Sequence, residues 1–394
     1  MISKLRTPSR LLVCAALTAG ATGLLPVRAT AADQCAAPAT TVVHTVPPQQ
    51  TRLDPQRAWT LTRGGGVTVA VLDSGVDASV PQLAGHVLPG ADVVGGSGRG
   101  DSDCVGHGTF VAGLIAAQPT PGIGFAGLAP DVRILPVKQT TNGQDGSSAS
   151  LAQAIVAAVA GGAQVINISL SADAPSDELQ TAVQYALQRN VVLVAAAANS
   201  ARQGNPVTYP AAYPGVIAVG AVDETGKRSD FSETGSFLDL VAPGTNILSL
   251  GTRGPGHALD QGTSFATPFV TAVAALVRAY HPELTPAQVK HRLEVTADHP
   301  GTALPNPQVG WGMVDPYAAV ATILPEEGKQ PTRPAPSPAP LTLPQAAPPA
   351  PSNSGTLLFA GGGAALAAVA LAGAVVLPRG RRRGWRAGGD GGGR

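Results

Sequence analysis

The sequence predicts an α/β domain with a mostly parallel central sheet covered by helices on both faces, followed by one C-terminal transmembrane helix. Between residues 67 and 296, short apolar runs alternate with segments of helical periodicity, which is typical of β–α–β units. Residues 356–377 are apolar or small and uncharged, and as a helix they would extend about 33 Å. A buried core helix is the alternative for this segment, but a Pro-rich stretch separates it from the domain.

The strands and helices are predicted from the spacing of the apolar residues along the chain. Short runs rich in Val, Ile and Ala predict buried strands at 67–72, 164–170, 191–197 and 216–222. Helical spacing predicts helices at 107–117, 150–160, 176–189, 265–280 and 286–296. The last of these begins with Thr285 as a hydroxyl cap and Pro286 in the first helical position. Functional residues of such folds gather at the carboxyl ends of the strands.

Both ends of the chain carry export or membrane features. In residues 1–31, basic residues precede an apolar run at 11–25, and a small-x-small cleavage site ends at Ala31, which predicts a signal peptide. An uncleaved N-terminal anchor is the alternative, but the apolar run is short and contains glycine. Residues 325–355 are rich in Pro and Ala, which predicts a semi-rigid linker.

A basic tail, residues 378–394, follows the predicted transmembrane helix at 356–377. Clustered arginines tend to stay on the cytoplasmic side. Since the signal peptide exports the rest, we expect a single-pass cell-membrane protein with a cytoplasmic C-terminus. Its folded domain, residues 53–324, then lies outside the cytoplasm, preceded by an N-terminal extension at 32–52.

Composition excludes some classes of partner. The formal net charge is +1 and 13% of residues are charged, so we expect no nucleic-acid partner. No loop offers a clear run of oxygen ligands, so no metal or other cofactor is expected. Asp77, Asp101 and Asp103 are interpreted as solvated loop acids.

Three short motifs carry the residues of a nucleophilic mechanism. Asp73 ends a predicted strand in Val-Leu-Asp-Ser-Gly, while His107 in Gly-His-Gly-Thr and Ser264 in Gly-Thr-Ser each stand at a helix start. A serine hydroxyl needs a base, histidine is the usual base near neutral pH, and a carboxylate orients the histidine. Asn199 follows another predicted strand and can donate to an oxyanion. Each residue alone suits a structural role, but together they predict a catalytic triad with an oxyanion donor.

These motifs, in the order Asp, His, Ser, resemble the subtilisin-like (subtilase) serine proteases over residues 67–315. The resemblance implies a three-layer subtilisin-like fold and endopeptidase activity on proteins or peptides. It also implies that a strand edge binds substrate. The residues implied to bind substrate are Ser169, Leu170, Ser171, Ala197 and Ala198. Ser171 and Ala198 replace glycines that are usual in the family, and a positive φ at Ala198 would make its methyl group narrow the specificity pocket.

Further features resemble the mycosins, the membrane-anchored subtilases of type VII secretion systems. They are Asp103-Cys104 before His107, Cys35 after the signal peptide, and the anchor after a Pro-rich linker. With Cys14 removed in the signal peptide, an exported chain keeps two cysteines, which favours a Cys35–Cys104 disulfide over free thiols.

Two functions remain open at this point, and a third is disfavoured. The first is endopeptidase cleavage of exported proteins near a type VII secretion complex. The second is a mainly structural subunit of that complex, with protease activity weak or dispensable. A scavenging protease is disfavoured by the anchor, because released enzymes reach nutrients better. The interval before Asp73 is short for a separately folding pro-domain, so we expect the extension to stay attached.

Overall fold

The computed structural model describes residues 35–142 and 147–328. Contacts divide the chain into two units, residues 1–339 and 340–394, and all described residues belong to the first. Within them, seven parallel strands form one sheet in the order β2-β3-β1-β4-β5-β6-β7, and two more form an antiparallel hairpin. The strands are β1 Thr68–Asp73, β2 Ala91–Asp92, β3 Arg133–Lys138, β4 Val165–Ile168, β5 Val192–Ala196, β6 Ile217–Val222, β7 Leu240–Pro243, β8 Ile247–Leu250 and β9 His257–Asp260.

Helices cover the sheet and complete three layers. They are α1 Pro48–Leu53, α2 Pro55–Trp59, α3 His107–Ala116, α4 Ser148–Ala160, α5 Asp177–Gln188, α6 Thr263–Tyr280, α7 Pro286–Val295 and α8 Pro316–Ala321. Helix α6 crosses β1, β4, β5, β6 and β7 and packs beside α3, while α4 and α5 pack together against β1, β3 and β5. The predicted subtilisin-like arrangement with a mostly parallel central sheet is confirmed.

The central strands are apolar because helices cover both faces of the sheet. Strands buried on both faces are continuous apolar runs rather than alternating ones. In β1 every residue after Thr68 is buried, and in β4, β5 and β6 all residues are buried. These strands were therefore predictable from apolar content, and their bounds differ from the predicted ones by one or two residues.

The stretch ending at Ser171 lies partly inside the sheet and partly beyond it. Over residues 165–168, β4 pairs with β1 on one side and with β5 on the other. Residues 169–171 continue beyond the carboxyl end of β4 and reach a cleft there. That this part of the chain offers a strand edge to substrate stays a prediction.

The predicted signal peptide, linker, transmembrane helix and basic tail lie outside the described residues. Within residues 35–142 and 147–328, no helix has the length and apolar character needed to cross a bilayer.

A disulfide joins Cys35 to Cys104 and fixes the start of the described chain beside the loop that leads to His107. Ala36 N–H also donates to Cys104 O at 2.7 Å. The chain then runs along residues 252–257, where Ala39 N–H donates to Thr252 O at 3.1 Å. The extension is thus held to the domain by a covalent link and by backbone hydrogen bonds.

Removal of this disulfide should lower the free energy of unfolding by about 4 kcal/mol in the chain-entropy treatment, because the bridge closes a loop with a sequence separation of 69 residues. Urea denaturation of Cys35→Ser, Cys104→Ser and the double variant measures this loss. The three should have nearly equal midpoints, since either change removes the same bridge. A double variant much less stable than both single variants would contradict this expectation.

Candidate active site

Asp73 and His107 form a buried hydrogen-bonded pair where β1 ends and α3 begins. The Asp73 carboxylate is fully buried, and its two oxygens lie 2.7 and 2.9 Å from Nδ1 of His107. Ser74 N–H donates to the same carboxylate at 2.7 Å. Gly108 permits this approach, since a Cβ there would lie 2.0 Å from Gly75 O and 3.0 Å from Asp73 Cβ. The geometry fixes Nδ1 as the protonated nitrogen and leaves Nε2 available as a base.

Asp103 supports the loop before His107, and the prediction that it is a solvated acid was wrong. It is only 4% exposed. Its carboxylate accepts five hydrogen bonds, from Ser74 Oγ, Val105 N, Gly106 N, Thr109 N and Thr109 Oγ1. Backbone N–H groups at the start of α3 thus take the place of water around this charge.

Asp77 is also buried rather than solvated, whereas Asp101 is partly exposed and pairs with Arg99 at 3.0 Å. The Asp77 carboxylate accepts from the Ser79 hydroxyl at 2.6 Å and from Arg253 N–H at 2.8 Å. Burial raises the pKa of Asp77, but its hydrogen bonds outweigh burial and hold that pKa below its usual range. Among the residues described, no group of three or more His, Cys, Asp or Glu side chains is placed to hold a metal ion.

The charge around His107 favours its protonated form. Burial alone lowers the pKa of His107, but the charge and hydrogen bond of Asp73, with smaller contributions from Asp103 and Asp260, outweigh burial and raise it. A base with a raised pKa is a stronger proton acceptor, and it stays protonated up to a higher pH.

Activity should therefore fall as the pH drops through the raised pKa of His107, with a midpoint above the usual value for histidine. The measurement is kcat/KM between about pH 5 and 9, with a peptide p-nitroanilide chosen from a set that varies the residue before the scissile bond. Asp260→Asn should move the midpoint to lower pH, because the Asp260 charge raises the pKa of His107. The control is Asp131→Asn, which removes a carboxylate just before the amino end of β3. Its midpoint should equal that of the wild type, because the pKa of His107 is raised by Asp73, Asp103 and Asp260. Equal midpoints for the wild type and Asp260→Asn would contradict this expectation.

Ser264 is the second residue of α6. Its hydroxyl donates to Ser169 O at 3.0 Å, and Ser169 Oγ donates back to Ser264 O at 3.0 Å. His107 lines the same cleft as Ser264. The Ser264 N–H belongs to the first turn of α6, where N–H groups have no intrahelical partner, so it is free to donate into the cleft.

A buried polar chain supports Ser169 from behind. Thr271 Oγ1 donates to Asn167 Oδ1 at 2.8 Å, and Asn167 Nδ2 donates to Ser169 Oγ at 2.8 Å. All three side chains are buried. Sequence reasoning missed Asn167 and Thr271 as supports, because a single polar residue within an apolar strand or helix does not reveal its partner.

Asn199 follows β5, and its side-chain oxygen is held by α6. Its Oδ1 accepts from Thr263 N–H at 2.8 Å and from Thr263 Oγ1 at 3.1 Å, which leaves the Nδ2 hydrogens free to donate. Gly262, just before Thr263, has φ 151°, a backbone conformation that L side chains rarely adopt. Asn199 is thus oriented as a donor toward the cleft.

The side chains of Ser264, His107 and Asn199 line one cleft of about 720 Å³. Of the predicted substrate-binding residues, four line it: Ser169, Leu170, Ser171 and Ala198. Ala197 does not. It is fully buried and belongs to an apolar cluster with Val222, Leu238, Val241 and Met313. Ala198 has φ 79°, the condition under which its methyl group was expected to narrow the pocket.

Comparison with known proteins identifies the family. Residues 64–312 match the subtilase family. The chain belongs to the subtilase family. It is 39% identical over 367 residues to Mycosin-1 of Mycobacterium tuberculosis. This match covers 77% of this chain and 81% of the relative. Subtilisin E of Bacillus subtilis is 40% identical over 258 residues, 65% of this chain and 66% of the relative.

Solved structures agree with the sequence relatives. A crystal structure of MycP1 with the N-terminal propeptide removed superposes with a TM-score of 0.64 at 38% identity, covering 71% of this chain and 98% of that one. The structure of the MycP3 protease from the type VII (ESX-3) secretion system superposes with a TM-score of 0.63 at 38% identity. The match covers 73% of this chain and 93% of that one. The chain is therefore a mycosin-type subtilase and a serine endopeptidase, as its motifs predicted.

Proposed function

We propose that this subtilase is a membrane-anchored endopeptidase that cleaves exported proteins with Asp73, His107 and Ser264 as its catalytic triad. One observation carries the assignment of residues. The hydrogen-bonded pair Asp73–His107, the hydroxyl of Ser264 and the free amide hydrogens of Asn199 all meet at one cleft.

Each residue has one task in the reaction. Ser264 Oγ attacks the peptide carbonyl while His107 Nε2 takes its proton, and His107 then gives this proton to the leaving amine. Asp73 holds the ring and stabilises the imidazolium. The tetrahedral oxyanion accepts hydrogen bonds from Asn199 Nδ2 and Ser264 N–H. Water then hydrolyses the acyl-enzyme by the same route.

A fluorophosphonate probe tests the nucleophile in the purified full-length chain. We expect the wild type to become labelled at Ser264 and Ser264→Ala to stay unlabelled. Ser171→Ala is the matched control, because Ser171 lines the same cleft but has no assigned chemical role. Labelling of Ser264→Ala at the wild-type rate would assign the reaction to another nucleophile.

The cellular setting rests on the sequence and on relatives. The signal peptide predicted at 1–31 and the transmembrane helix predicted at 356–377, followed by an arginine-rich tail, support a single-pass protein whose catalytic domain faces away from the cytoplasm. A MycP1 structure is described as that of an essential component of the type VII (ESX-1) secretion system, which supports an association of this chain with such a complex. The substrates we propose are exported proteins that pass near it.

A mainly structural role in the secretion complex is the second candidate. The description of a MycP1 structure as that of an essential component of the type VII (ESX-1) secretion system motivates this candidate. Complementing a deletion strain with Ser264→Ala separates the two roles. Restored secretion supports the structural role, whereas failed secretion with normal protein levels supports the requirement for proteolysis.

We also propose that the extension at 32–52 stays attached in the mature protein. Its backbone packs against glycines of residues 251–256 so closely that a Cβ at Gly254 would lie 2.1 Å from Ala39 O. Val43 N–H donates to His257 Nδ1 at 3.0 Å, and Gln49 Nε2 donates to Leu248 O at 2.9 Å. Mass spectrometry of the mature protein tests this proposal, and an N-terminus beyond residue 51 would refute it.

A further inference from the structure

The segment 231–234, between β6 and β7, lies directly behind the loop that carries Asn199. Ala201 N–H donates to Phe231 O at 3.2 Å. Thr234 forms three hydrogen bonds with the Asn205 side chain. Its N–H donates to Asn205 Oδ1 and its carbonyl oxygen accepts from Asn205 Nδ2, both at 2.8 Å, and its hydroxyl donates to Asn205 Oδ1 at 3.3 Å. The segment therefore supports the far end of this loop through fixed hydrogen bonds.

Glu233 supports the near end of the loop on both sides of Asn199. Its own N–H donates to Ala198 O at 3.2 Å, and its carboxyl Oε1 accepts from Ser200 N–H at 3.2 Å. Its Oε2 lies 3.4 Å from Oγ1 of Thr208, whose hydroxyl donates to Ala197 O at 2.9 Å. Directly or through Thr208, Glu233 thus contacts the residues that flank Asn199.

The surroundings of Glu233 make its negative charge costly. The side chain is fully buried, and no lysine or arginine of residues 35–142 and 147–328 forms an ion pair with it. Burial raises the pKa of Glu233 to about 7, aided by the charge of Asp173 and opposed by the hydrogen bonds from Ser200 and Thr208. A buried carboxylate without a cation is costly, whereas the neutral acid is much less so.

We propose that Glu233 is a positioning residue for peptide cleavage that holds Asn199 where its amide meets the oxyanion. The proposal rests on the oxyanion role proposed for Asn199. Ala198 makes such support necessary, because a non-glycine residue at φ 79° is strained and persists only where its surroundings fix it. Glu233 does not line the cleft and so acts on the reaction through the Asn199 loop.

Two substitutions of Glu233 separate this role from simple packing. In Glu233→Gln, the amide oxygen can accept from Ser200 N–H as Oε1 does, and the amide nitrogen stays within reach of Thr208 Oγ1. In Glu233→Leu, the volume is nearly kept but both contacts are lost. We therefore expect Gln to preserve the position of Asn199 and Leu to release it.

The measurement is kcat and KM of the full-length chain with the peptide p-nitroanilide used for the pH profile. Glu233→Leu should lower kcat about 10-fold to 100-fold with little change in KM, because Asn199 donates mainly in the transition state. Its affinity for a peptidyl boronic acid, which forms a tetrahedral adduct, should fall by a similar factor. Glu233→Gln should stay within about twofold of the wild type in kcat.

Ser232→Ala is the matched control. Ser232 is the buried neighbour of Glu233, but its hydroxyl accepts from Ala221 N–H in β6 rather than from the Asn199 loop. We expect Ser232→Ala to lower the melting temperature without lowering kcat. An equal fall of kcat in Ser232→Ala and Glu233→Leu would overturn the proposal, as would a fall in Glu233→Gln equal to that in Glu233→Leu.

Asn199→Ala separates failure of this inference from failure of the proposed mechanism. If Asn199→Ala leaves kcat unchanged, the oxyanion role itself is refuted. If Asn199→Ala lowers kcat about 100-fold or more while folded Glu233→Leu keeps the wild-type value, only the positioning role of Glu233 is refuted.

Discussion

Ser264→Ala should lower kcat by about six orders of magnitude, the loss that removal of the serine nucleophile causes in a subtilisin-type site. The change removes only an oxygen atom, and the other contacts of Ser264 are made by its backbone, so the fold should persist. Its carbonyl oxygen keeps the hydrogen bond from Ser169 Oγ at 3.0 Å. The remaining rate comes from binding and from oxyanion donors, which need no nucleophile on the protein.

The measurement is kcat with the p-nitroanilide substrate, after a second affinity step to remove traces of wild-type enzyme. Circular dichroism and the melting temperature serve as checks of folding. His107→Ala should lose a similar factor, and the double variant should lose little more, because the two residues act as one unit. Additive losses in the double variant would contradict a shared Ser–His mechanism.

Strands β1, β4, β5 and β6 of the central sheet were predictable because they are buried on both faces and consist mainly of apolar residues. Strand β3 was not predicted, since Pro136 stands in its middle and proline usually argues against a central strand. The boundaries moved by a residue or two because helix caps and strand ends depend on contacts that periodicity does not contain. Helix α6, for example, begins at Thr263 rather than at residue 265, since Gly262 caps it.

The chemistry of the site was predictable where a short motif carries it, as for Asp73, His107 and Ser264. Support from distant segments was not. Thr263 orients Asn199 from 64 positions away, and Glu233 lies 33 positions beyond Ser200, with no local pattern that links them. Asp103 had a local signal, an acid shortly before the His-Gly-Thr helix start, but its exposure could not be judged without the loop geometry.

Asp73→Asn should lower kcat by about 10⁴-fold while leaving the fold nearly unchanged. The asparagine oxygen will keep the hydrogen bond that Ser74 N–H gives to this position at 2.7 Å. Its NH₂ group then faces His107 Nδ1 as a donor. The ring must present Nδ1 as an acceptor and carry its hydrogen on Nε2, so it no longer accepts the proton of Ser264.

The tautomer can be measured directly, which distinguishes this cause from general damage to the site. Nitrogen chemical shifts of His107 should show the hydrogen on Nδ1 in the wild type and on Nε2 in Asp73→Asn. The pKa of His107 should also fall, because burial, which lowers it, is no longer outweighed by the charge of Asp73. Asp103→Asn is the control, because Asp103 binds backbone N–H groups rather than the ring. It should lower stability more and kcat less than Asp73→Asn, and the reverse order would contradict the role assigned to Asp73.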